Sequence, residues 1–188
     1  MTTREGVVVA VVGSARVSRD APEWQEAYEV GALIAESGWG IMTGGYSGLM
    51  GAAAEGARSR GGSARGLPMT AWAQLTPDPA HDDLAWCATY GERLDHIARA
   101  DVLVALPGGV GTLSEWAVAW ASAQTELRPH GVVLVGHRWA QLVEQLRRIL
   151  IAGDDDFALL TAAEGPQEVP ARVREVLAAA PPATAPWG

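Results

Sequence analysis

Residues 102–112 run from Val102-Leu103-Val104-Ala105-Leu106 straight into Pro107-Gly108-Gly109-Val110-Gly111-Thr112, and nothing else in the chain restricts its fold as tightly. The five apolar residues make a strand with no polar face, which calls for a parallel sheet covered on both sides. A glycine turn that leads from such a strand into a helix presents unpaired N–H groups and a positive dipole end, which attract an anion. Two further turns, Gly13-Ser14-Ala15 and Gly44-Gly45-Tyr46-Ser47-Gly48, close the apolar runs 6–12 and 39–43 in the same manner. A tight connection between strand and helix explains any one of them. Three together converge on the edge of the sheet where open α/β folds bind ligands.

The rest of the chain alternates accordingly. Helices are expected over 22–37, 49–59, 91–100, 112–127, 139–151 and 168–179, with Pro22 suited to a first turn and Gly38 to a stop. Strands are expected over 6–12, 39–43, 63–67, 102–106, 132–135 and, as a possible last strand, 157–161. Residues 70–84, rich in Pro and Asp, read as a surface loop, and 86–90 as a short strand or irregular. Right-handed crossovers turn this order into a doubly wound, mostly parallel sheet of six to seven strands with helices on both faces. No linker divides it, so residues 1–180 read as one domain and the Pro/Ala-rich 181–188 as a flexible tail.

Charge and composition remove several functions. The chain carries a net charge of −8, which argues against binding a nucleic-acid polymer but leaves a single small nucleotide possible. All 14 basic residues are arginine, so neither a P-loop lysine nor a pyridoxal-phosphate Schiff base can form. No GxGxxG follows the first strand, and no His/Tyr/Lys set suggests an NAD(P) oxidoreductase. The single cysteine, Cys87, precludes an intrachain disulfide and suits a reducing cytoplasm. The run 7–12 is too short for a signal-peptide core, and nothing reaches the roughly 18 apolar residues of a membrane span. His81, His130 and His137 are scattered with no HExxH or Cys/His cluster, so neither metal nor cofactor is expected.

Two charged residues stand near the principal turn. Thr112-Leu113-Ser114-Glu115 fits a capping box, which by itself explains the spacing; it also places a carboxylate one turn from a phosphate site. Arg93, within Glu92-Arg93-Leu94-Asp95, reads locally as part of a solvated helix face paired with Glu92. Trp116 and Trp120, four apart, read as core, with a dimer surface as the other use of such aromatics.

At this point the motifs resemble those of the LOG (LONELY GUY) family. Gly44-Gly45-Tyr46-Ser47-Gly48-Leu49-Met50-Gly51 is similar to its GGxxGLMG segment, and residues 107–115 fit its PGGxGTxxE signature at every defined position. The resemblance runs from the first strand to about Val135. It implies a Rossmann-like homodimer that hydrolyses the N-glycosidic bond of an AMP-like nucleoside 5′-monophosphate, releasing base and ribose 5-phosphate. It implies that Gly108, Gly109, Gly111 and Thr112 hold the phosphate; Gly13, Ser14, Gly44 and Gly45, in the two other turns at the same edge of the sheet, are expected to help bind the nucleotide. Glu115 would be the catalytic carboxylate, and Arg93 matches the arginine of the family's MxxRK segment. Tyr90 and Leu94 replace that segment's Met and Lys. The lost lysine supports the other reading, a nucleotide or cofactor carrier of the same fold that performs no chemistry.

Overall fold

A computed structural model describes residues 6–125 and 128–179. The expected tail, 181–188, lies outside the described residues. Seven strands form one sheet: β1 (Val8–Val12), β2 (Gly40–Thr43), β3 (Ala64–Gly66), β4 (Asp83–Leu84), β5 (Val102–Ala105), β6 (Val132–Val135) and β7 (Leu160–Ala163). Their spatial order is β4-β3-β2-β1-β5-β6-β7, and every neighbouring pair is parallel. The chain works outward from β1 to one edge, returns to β5 beside β1, and works outward to the other edge. The direction therefore reverses between β1 and β5, where the loops leaving the two strands part and open a crevice.

Alternate side chains of the strands feed two separate cores. Val9, Val11, Val102, Val104 and Val133 point to one face, beneath α1 (Pro22–Glu36), α2 (Leu49–Ser59) and α7 (Val169–Ala179). Ala10, Val12, Leu103, Ala105 and Leu134 point to the other, beneath α3 (Tyr90–Ala98), α4 (Val110–Ala123), α5 (His137–Ile149) and α6 (Asp154–Ala158). Burial on both faces is why these strands read as unbroken apolar runs. Trp116 and Trp120 belong to the second core: Trp116 stands edge-on to Trp139 at 5.8 Å, and Trp120 lies 5.2 Å from Phe157. No helix among the described residues is long and apolar enough to cross a membrane.

Three local expectations are corrected. The segment 70–84 contains a 3-10 turn, Thr70–Trp72, and ends in β4; the strand is at 83–84, ahead of 86–90. Backbone pairing with β3 makes β4, while both of its side chains are exposed, so no apolar pattern marked it. Residues 157–158 belong to α6, because the Phe157 ring turns inward onto Trp120, and β7 begins only at Leu160. The helix after β5 starts at Val110, two residues before the expected start, and ends at Ala123.

Candidate active site

The crevice is sewn together by the backbone of the three glycine turns. The Ser14 N–H donates to Pro107 O at 3.1 Å, and Ser14 O accepts from Leu49 N at 2.9 Å. One residue thus ties the turn after β1 to the turn after β5 and to the start of α2. Gly48 makes this approach possible: its φ is +75°, and a Cβ there would stand 2.4 Å from Ser14 O. Gly109 is the cap residue of α4 and supplies no side-chain acceptor, so the first N–H groups of the helix face the crevice unpaired by any cap. The Trp139 indole donates to Leu106 O at 3.0 Å and braces the end of β5 just ahead of this loop.

At the floor lie Arg93 and Glu115, both buried, with Arg93 Nη2 3.0 Å from Glu115 Oε1. Arg93 Nη1 donates to Gly44 O at 2.6 Å and also to Leu67 O. The carbonyls at the ends of β2 and β3 thereby solvate one side of the guanidinium and the Glu115 carboxylate the other. The rings of Tyr46 and Trp72 stand 5.9 and 5.8 Å from it. Gly44 leaves the room, since a Cβ would come within 2.0 Å of Arg93 Nη2.

This geometry overturns both local readings of the charged pair. Thr112 lies inside α4, buried, and Glu115 turns to Arg93; no capping box forms there. The same T-x-x-E pattern does cap a helix elsewhere. Thr89 Oγ1 accepts from Glu92 N at 3.1 Å, and Glu92 Oε2 accepts from Ala88 N at 2.6 Å, fixing the start of α3. Glu92 is therefore occupied, and Arg93, one residue on, points inward from the capped turn.

Burial pushes the Glu115 carboxyl above the ordinary carboxylate range, while Arg93, by its charge and hydrogen bond, pulls the other way. His81 is likewise buried, and desolvation lowers its pKa. Its Nε2 is 2.6 Å from Thr43 Oγ1, which accepts from Gly45 N at 3.0 Å, and its Nδ1 is 3.0 Å from Asp78 O. A neutral ring with the proton on Nδ1 satisfies every group: Nδ1–H donates to Asp78 O, and the Thr43 hydroxyl donates to Nε2. His81 thus holds the Gly44-Gly45 turn from behind.

Above the floor the crevice encloses 610 Å3, within the range of small-molecule sites. Gly13, Ser14, Gly109, Gly111 and Thr112 line it with Arg93 and Glu115. Gly44, Gly45 and Gly108 stand behind that surface. Gly44 and Gly45 position Arg93 and the β2 turn, and Gly108 packs on Thr112, where a Cβ would meet Oγ1 at 2.1 Å. Sequence reasoning missed the aromatic wall. Tyr46, Trp72 and Tyr90 follow one another at 5.9 and 6.3 Å, and Trp72 sits in the segment read as a surface loop. A tryptophan amid Pro and Asp turn residues was the available signal. The two departures from the MxxRK segment also separate: Tyr90 lines the crevice, and Leu94 does not.

The SLOG cluster4 family model matches residues 6–138, which span every residue of this site. The chain belongs to the SLOG cluster4 family. A protein of Archaeoglobus fulgidus is 32% identical over 73% of this SLOG chain and 89% of its own length. A cytokinin riboside 5′-monophosphate phosphoribohydrolase of Mycobacterium tuberculosis is 38% identical over 58% of this chain, which spans only 60% of that protein. Among solved structures, the molybdenum cofactor carrier protein of Chlamydomonas reinhardtii is 26% identical, with a TM-score of 0.72 over 93% of this chain and 99% of that one. The LOG resemblance of the two glycine motifs thus stands, as does the Rossmann-like fold. The same fold serves an enzyme in one relative and a carrier in another.

Proposed function

We propose that the protein is a nucleoside 5′-monophosphate phosphoribohydrolase, working as a homodimer, with Glu115 as catalytic carboxylate and Arg93 as its charged partner. The observation that carries this reading is the buried Arg93–Glu115 pair at the floor of a crevice whose rim is the uncapped start of α4. A phosphate on the N–H groups at Gly109, Gly111 and Thr112 leaves the ribose of the same ligand one helical turn away, at Glu115. The C1′–N bond breaks and a C1′–O bond to water forms. One water proton passes to the Glu115 carboxylate, and the departing base takes a proton from solvent. The developing positive charge on the ribose is stabilised by the same carboxylate. Arg93 is always charged; it orients Glu115 and donates no proton. Similarity to the mycobacterial phosphoribohydrolase supports the reading.

Incubation with AMP and the other nucleoside monophosphates should release free base and ribose 5-phosphate, measured by chromatography, and Glu115→Gln should abolish the release. Because the carboxylate acts ionised, kcat/KM should fall as pH drops, with a midpoint above the usual Glu range of about 4.5. The carrier reading, favoured by the fold likeness to the molybdenum cofactor carrier, expects ligand binding without turnover and unchanged by Glu115→Gln.

A further inference from the structure

The charge of the crevice is decided at one exposed position. Its lining contains three charged side chains: Arg16, Arg93 and Glu115. Arg93 and Glu115 neutralise one another, and the Arg93 guanidinium is further engaged by Gly44 O and Leu67 O. Arg16, in the turn after β1, is exposed, and its side chain makes no hydrogen bond or ion pair among the described residues. Its backbone is fixed, since the Arg16 N–H donates to Ser14 Oγ at 3.1 Å. The next cation along, Arg19, is not available. It is paired with Glu55 at 2.6 Å, lies over the Trp24 ring at 4.4 Å, and lines the neighbouring hollow.

A phosphate monoester brings close to two negative charges. In a chain of net charge −8, the α4 N–H groups alone would face that ligand against a repulsive field. From this we infer that Arg16 is a specificity-determining residue: it reads the phosphate from the turn after β1, which is bonded to the loop leading into α4, and separates phosphorylated from unphosphorylated ligands. The proposal rests on the phosphoribohydrolase reading of the crevice, and supplies the cation that the glycine loop lacks in the absence of any lysine. Arg16 folds over the ligand from an exposed loop, so its contribution is made through the anion, and the base and ribose contacts are independent of it.

The test is isothermal titration of AMP, adenosine and inorganic phosphate into the wild-type chain, R16Q and R16K. Arg16 is exposed and supports no other side chain, so both variants should retain the wild-type circular dichroism. R16Q should weaken AMP binding by about tenfold or more, the loss expected for a hydrogen bond between charged groups, and leave adenosine binding unchanged. R16K should recover part of the loss. Raising salt should weaken AMP binding to the wild type more than to R16Q. Equal AMP affinity in wild type and R16Q overturns the proposal. The two readings fail separately. Arg16-dependent binding of inorganic phosphate with no affinity for AMP would sustain the role of Arg16 and end the nucleotide reading. Hydrolysis of AMP unchanged in KM by R16Q would do the reverse, and no binding of AMP or phosphate to the wild type would end both.

Discussion

Arg93 is held by atoms from three separate elements, and Gly44 is the residue that makes the fit possible. Gly44→Ala would put a methyl group 2.0 Å from Arg93 Nη2. Such overpacking costs about 1–3 kcal/mol, and it should also draw the guanidinium away from Glu115. The expected result is a folded protein with lowered Tm and strongly reduced kcat; full activity in this variant would show that Arg93 need not be held where it is. His81 makes a second residue-scale prediction. Its folded pKa lies below the unfolded value of 6.5, so the unfolded chain binds a proton first as pH falls. Stability should be level above about pH 7 and decline from about pH 6.5 downward until the folded ring itself protonates. His81→Gln should flatten that decline in urea titrations at each pH. Neither role could be read from the sequence. The glycine motif shows that Gly44 is special, but its neighbour Arg93 is 49 positions away and reaches it only through the sheet. His81 stood out only as one of several scattered histidines, because its partner, Thr43, lies 38 residues earlier.

The elements pack as closely as the residues. α1 and α2 meet backbone to backbone: a Cβ on Gly31 would lie 1.9 Å from Ala53 O, and one on Gly56 would lie 1.9 Å from Tyr28 O. In an isolated helix Gly→Ala gains about 1 kcal/mol. Here Gly31→Ala should instead destabilise, by about 1–3 kcal/mol, lowering Tm by about 2–4 °C for each kcal/mol in a chain of this size. A raised Tm would mean that the two helices separate without cost. Most of the elements were legible, because burial on both faces writes itself into β1, β2, β5 and β6 as apolar runs. The exceptions share a cause. β4 exists through backbone pairing alone; α6 turns on one ring finding Trp120; and the helix cap is made by Thr89, with Glu92 reaching back to Ala88, although Thr112 and Glu115 have the same spacing. Identical local patterns are decided by what packs against them, and a single sequence carries that information only where a family motif supplies it, as it did for Arg93 and Glu115.

Across the whole molecule, the order of the strands brings residues 13–16, 46–50, 72–76, Tyr90, Arg93 and 109–115 together around one crevice at the end of the sheet. Among the described residues, the segment after β6 contributes no lining residue; it closes the far half of both cores and, through Trp139, props the end of β5. Arg93 is the point where the near half locks. Its guanidinium bridges the ends of β2 and β3 to α4, so exposing the floor of the crevice would release a buried cation from every partner at once. Parting the pair in the folded protein therefore costs the desolvation of both charges. Substitutions scattered through the cores should lower the number of working molecules while leaving each survivor as competent as before, so that drift in the scaffold is felt as abundance and drift at the floor as chemistry.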